Sequence, residues 1–121
     1  MRAAVGLSAA LVIGACASTP PAPTAQIDAA QVAIAKAEQA DAGRFAAGDL
    51  SEARAKLASA NTAVQAEEMV AAAQFAEESQ VAAELASSRA TASKAKTVNE
   101  EMERSTGTLV EEMQRVEGEK K

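Results

Sequence analysis

The chain has 121 residues, no His, Trp or Tyr, and only two aromatics, Phe45 and Phe75, which nearly excludes the bases and nucleophile partners of an ordinary active site. Twelve Lys plus Arg against seventeen Asp plus Glu give a net charge of −5 with no basic stripe, so nucleic acid is excluded as a partner. Alanine fills 33 positions against six Gly and three Pro, which predicts an all-α fold with a core that buries little area per residue.

At the amino terminus, Met1-Arg2 is a short positive segment, and residues 3–15 form an uncharged run containing Val5, Leu7, Leu11, Val12 and Ile13. This is the make-up of a secretory signal peptide, and it stops short of the ~20 apolar residues a spanning helix needs. Its end, Ile13-Gly14-Ala15-Cys16, resembles a bacterial lipobox. Small residues at 14 and 15 admit the backbone to a peptidase cleft, and the thiol is the nucleophile that can carry a thioether-linked lipid. Cleavage is expected between Ala15 and Cys16, with diacylglycerol and an N-acyl chain on Cys16 as the only cofactor-like groups. Cys16 is the sole cysteine, so an intramolecular disulfide is excluded. More than one acyl chain gives stable attachment, at ~0.8 kcal/mol per buried CH₂. Residue 17 is Ala, not the Asp that favours inner-membrane retention in enterobacterial lipoproteins, which points to the periplasmic face of the outer membrane.

Thr19-Pro20-Pro21-Ala22-Pro23-Thr24 has almost no apolar bulk and predicts an extended tether. From Cys16 to Ala25 it reaches roughly 30 Å in polyproline geometry. The expected organisation is a signal peptide (1–15), lipidated Cys and tether (16–25), helical bundle domain (26–90), and extended helix with charged tail (91–121).

Apolar residues at alternating three and four spacing predict helices near 26–42, 49–65 and 67–104. The first carries Ile27, Ala30, Ile34 and Ala37, with Gly43 as its stop; the second carries Leu50, Ala53, Leu57, Ala60 and Val64. Asp49 and Glu52 are spaced for a capping box, and Glu52 and Lys56 for an i,i+4 ion pair. A turn without Gly or Pro is expected around Ala66-Glu67-Glu68. The third helix has small residues on one side (Ala72, Ala76, Ser79, Ala83, Ala86) and Val70, Val81 and Leu85 on another, which predicts one neighbour on each side. The architecture is therefore an antiparallel three-helix bundle or helical hairpin with a long third helix, its seam formed by Ile27, Ile34, Leu50, Leu57 and Val64. Residues 87–97 hold no bulky apolar group and are expected to project. Beyond them Val98, Met102, Leu109, Met113 and Val116 form an amphipathic stretch interrupted at Ser105-Thr106-Gly107, with Glu100 and Arg104, Glu111 and Arg115, and Glu117 and Lys121 spaced as i,i+4 pairs.

The segments Ala33-Ile34-Ala35-Lys36-Ala37-Glu38-Gln39-Ala40, Phe45-Ala46 leading to Leu50, Ala53-Arg54-Ala55-Lys56-Leu57, Phe75-Ala76-Glu77-Glu78-Ser79 and Ala83-Glu84-Leu85-Ala86 resemble a family of short alanine-rich proteobacterial lipoproteins with a helical domain of unknown function. The family occurs alone or before an OmpA-like peptidoglycan-binding domain. It usually has Pro after the aromatic-Ala pair and Glu before the leucine, where this chain has Ala47 and Asp49. The resemblance brings no catalytic residue set.

Other constellations reduce to structure. Glu67-Glu68, Glu77-Glu78 and Glu111-Glu112 lack the glycine turn of a Ca²⁺ loop, and Met69, Met102 and Met113 are far apart at apolar helical positions, so no metal site is expected. With no His and no Ser-x-x-Lys at a plausible cleft, no activated nucleophile is expected, and Ser93-Lys94 reads as surface helix. Lys120-Lys121 complements a helix C-terminus more simply than it matches the peptidoglycan-linked lysine of Braun-type lipoproteins. The expectation is a non-enzymatic envelope lipoprotein, bound to the membrane by its lipid and contacting another envelope protein or peptidoglycan. The alternative, a periplasmic module binding a small molecule or lipid, needs a cavity that alanine-dense seams tend to close.

Overall fold

The computed structural model describes residues 20–120, so Ala15, Cys16, the signal peptide and Lys121 lie outside the described residues. Within them the chain forms four helices and no strand: α1 (Thr24–Gln39), α2 (Ala42–Phe45), α3 (Ala47–Gln65) and α4 (Met69–Glu119). The all-α, three-helix architecture with a long last helix is therefore as expected, with α2 a single turn inserted between the first two long helices. Helix α1 starts at Thr24, directly after Pro23, so Thr24 and Ala25 belong to the helix and not to the tether.

Both turns depart from the sequence-based expectation. Gly43 is not the stop of α1. The chain reverses at Asp41, which takes the left-handed conformation at φ 63°, while Gly43 sits inside α2 without a positive φ. Asp tolerates this region better than most residues, and turning at 40–41 puts Ala42 and Ala46 into the core, where both are buried. The second reversal falls at Ala66-Glu67-Glu68, as expected, with Glu67 left-handed at φ 60°. The capping box does not form: α3 begins at Ala47 behind an Ala46 cap with no side-chain hydrogen bond, and Asp49 lies within the first turn.

Helix α4 is the common partner of α1 and α3, which touch each other less. The contact line on α4 is Ala72, Ala76, Ser79, Ala83, Ala86 and Ala90, all fully buried. One side of α4 thus receives both neighbours, and the expectation of one neighbour on each of two sides is corrected: Val70, Val81 and Leu85 face solvent. Alanine explains the arrangement. Side chains this short leave no ridge to separate the helices, so two of them can share one narrow stripe at close approach.

Residues 87–97 do not project. Ala90 is buried, Ser93 and Thr97 are half-buried, and Lys94 pairs with Asp41, because small residues fit against the turn that holds α2. Projection begins at Val98, from which every described residue is exposed. The helix also runs through Ser105-Thr106-Gly107 without a break. A single interior Gly costs ~1 kcal/mol relative to Ala, too little to stop a helix flanked by good formers.

Candidate functional site

The bundle interior is built from the smallest side chains. Ala30, Ala37, Ala53 and Ala60 are fully buried along with the α4 stripe, and the largest side chain completely shut off from water is Ser79. Its hydroxyl donates to the carbonyl oxygen of Ala53 at 2.7 Å, a contact between α4 and the α3 backbone. Of the seam residues, Ile34 and Leu50 are buried, while Ile27, Leu57 and Val64 are half-buried. Phe45 and Leu57 pack against the core cluster from its edge.

Ion pairs lace the outside of the bundle. Arg54 of α3 meets Glu38 of α1 at 2.7 Å, Lys56 meets Glu78 of α4 at 2.5 Å, and Arg89 of α4 meets Asp49 at 2.7 Å. Lys56 therefore reaches across to α4 and does not form the expected bond to Glu52. Lys94 donates to Asp41 at the α1–α2 turn and holds that carboxyl below its ordinary range; the Glu78 carboxylate likewise raises the Lys56 ammonium above its own. These contacts lie at the surface of the bundle, where an ion pair contributes little to stability. Among the described residues no three His, Cys, Asp or Glu are grouped to hold a metal, and no helix is long and apolar enough to cross a membrane.

Two surface grooves flank the core. One lies between α1 and α4 and is lined by Val32, Lys36, Gln80 and Glu84; the other lies beside α3 and holds Val81 and Leu85 between Lys56 and Glu77. Both open to solvent, and each mixes a few apolar atoms with charged ends.

The geometry of the two ends is the feature that positions function. Because α1 and α4 run parallel and α3 antiparallel to both, Pro20, Pro21 and Pro23 lie beside Met69, Val70 and Ala73 at the start of α4. The other end carries Asp41, Arg44 and Phe45 against Lys94, Thr97 and Val98. The chain enters at one end of the bundle, and α4 leaves from the opposite end as a bare arm, residues 98–119, roughly 33 Å long. The arm exposes Met102, Leu109, Val110, Met113 and Val116, with Leu109 at 63% and Met113 at 68% of full exposure. Of the i,i+4 pairs expected here, Arg104 donates to the Glu100 carbonyl and not to its carboxylate, Arg115 pairs with Glu112 and Glu119, and the Lys121 partner lies outside the described residues.

The domain of unknown function DUF4398 matches residues 25–102, nearly two thirds of the chain. The chain belongs to that family. Its matched span takes in α1, α2, α3 and the whole bundle-facing stripe of α4, and ends at Met102, one turn into the arm. No curated protein and no solved structure matches the chain. The family's description names no site. The inter-helix ion pairs escaped the sequence reading because their partners lie 16 to 53 residues apart, a separation no local pattern records.

Proposed function

We propose that this protein is a non-enzymatic envelope lipoprotein, acylated on Cys16, probing the periplasm from the outer membrane with an exposed helical arm. One observation carries the choice of an interaction module over a ligand carrier. Bulky apolar groups are displaced outward, at Val32, Val70, Val81, Leu85 and along the arm, while the interior is closed by alanine and nothing larger than Ser79 is fully enclosed. A carrier for a small molecule or lipid is built the other way round, with large apolar side chains lining a cavity.

The anchor half of the reading is supported by Ile13-Gly14-Ala15-Cys16 and by Ala17. With the lipid at the tether, the bundle stands on the membrane side and the arm points away from it. The 51 residues of α4 give roughly 77 Å of helix, and the tether adds to that reach. An acidic chain of this kind gains nothing from anionic headgroups, so the acyl chains have to supply the membrane affinity.

The test is metabolic labelling with palmitate, together with the intact mass of the mature protein. The wild type takes up label and begins at Cys16, while Cys16→Ser does neither and leaves the membrane fraction. A Cys16→Ser protein that still incorporates fatty acid overturns the anchor.

A further inference from the structure

The arm presents a seam with coiled-coil spacing. Met102, Leu109 and Val116 recur every seventh residue, and Thr106 and Met113 occupy the alternate positions, four and three residues apart. This is the a/d pattern that seats one helix against another, and among the described residues none covers it: residues 98–120 are exposed throughout.

The residues beside the seam say what kind of helix fits. Its charged flanks are Glu103 and Glu117 on one side and Glu112 and Glu119 on the other. Arg104 lies opposite the seam, and Arg115 lies beyond Glu112 and Glu119, which it touches. Lys120 follows the last turn. Over residues 98–120 seven glutamates stand against these three cations. A second copy of the chain is a poor occupant. In a parallel pair Glu112 meets Glu117 of the other copy, and in an antiparallel pair each acidic flank meets itself. An anionic lipid surface is repelled for the same reason.

We propose that residues 98–119 of α4 dock an amphipathic helix of another protein whose own seam is flanked by Lys and Arg. The inference deepens the reading of the protein as an interaction module by naming the surface and the partner's chemistry, and it does not depend on the lipid. It also gives a physical role to the weak centre of the arm. Ser105-Thr106-Gly107-Thr108 lowers helix propensity in a segment whose residues are all exposed, and most helix stability in proteins comes from packing, so covering the seam stabilises the arm as it binds.

The experiment uses the full chain carrying Cys16→Ser, so that acylation plays no part, and three synthetic three-heptad peptides: one with Leu at a and d and Lys at e and g, one with the same seam and Glu at e and g, and one with the Lys composition and a scrambled seam. Fluorescence anisotropy gives affinity, and hydrogen exchange gives the protection of the arm. The Lys-flanked peptide binds at least about tenfold tighter than either control and slows exchange over residues 102–118. The double variant Leu109→Glu, Met113→Glu binds it at least about tenfold more weakly although its charge is more attractive, whereas Val32→Ser on α1 leaves binding unchanged. Both altered positions lie outside the bundle, so its melting is unaffected. The proposal is overturned if the Glu-flanked or scrambled peptide binds equally well, or if the double variant keeps full affinity. It also falls if the chain alone sediments as a dimer that the double variant dissociates, or if phosphatidylglycerol vesicles take up the arm while the Lys-flanked peptide does not. None of these results bears on palmitate incorporation, which fails or holds separately.

Discussion

The hydroxyl of Ser79 donates to the main-chain oxygen of Ala53 at 2.7 Å, tying α4 to the backbone of α3. A side chain as short as serine reaches a neighbouring helix's carbonyl only where the backbones come close, and Ala53, Ala76 and Ala83, all fully buried, keep them there. The described buried side-chain polar atoms all have partners, so this contact leaves nothing unsatisfied.

Enlarging that interface should cost more than deleting the hydrogen bond. Ser79→Ala loses ~1 kcal/mol or less, because the Ala53 carbonyl keeps its intrahelical partner. Ala83→Leu forces the helices apart and loses ~1–3 kcal/mol or more. Urea denaturation of the two variants checks the order.

The two reversals respond to glycine in opposite ways from a plain reading of the chain. Glu67 is left-handed, so Glu67→Gly relieves strain and should raise the melting temperature by a few degrees, corresponding to up to ~1 kcal/mol. Gly43→Ala should also stabilise, since Gly43 is helical, has no positive φ, and an added Cβ meets nothing. Differential scanning calorimetry decides both.

Core substitutions should follow observed burial, not position in the seam pattern. Leu50 is 3% exposed whereas Leu57 is half-buried, so Leu50→Ala should cost ~2–5 kcal/mol and Leu57→Ala distinctly less. With so little bulky apolar area in the core, the first change should leave a substantial unfolded fraction by circular dichroism at room temperature.

Two surface pairs set opposite pH limits. Asp41 is held below its ordinary range by Lys94, so its contribution is complete above the unfolded value of about 3.9 and is lost as pH falls through the lower folded value. Lys56 is raised by Glu78, so its contribution is complete below the unfolded value of about 10.4 and is lost as pH rises through the higher folded value. Asp41→Asn keeps a residue suited to the left-handed turn, and its deficit relative to wild type should close as pH falls below the ordinary carboxylate range; that of Lys56→Met should close as pH rises above the ordinary lysine range. Urea midpoints across the range are the measurement.

Much of this molecule was written in local pattern. Alanine content and three-four spacing determine helices, and the spacing around Ile34, Leu50 and Leu57 places the inward faces of α1 and α3, because burial of a short helix depends on its own periodicity. The Ala66-Glu67-Glu68 reversal is legible as a slip in that spacing. The amphipathic stretch from Met102 to Val116 is legible too. Tertiary structure decided what local pattern leaves open. Turning at Asp41 and not at Gly43 depends on bringing Ala42 and Ala46 into the core, a gain that exists only once α4 is in place. Val70, Val81 and Leu85 form as good an apolar side as the alanine stripe, yet they face water because only the smaller residues let two helices approach α4 together. The exit of α4 from the end of the bundle opposite Pro23 follows from the order in which three helices stack. That order turns an ambiguous tail into an arm with an uncovered seam.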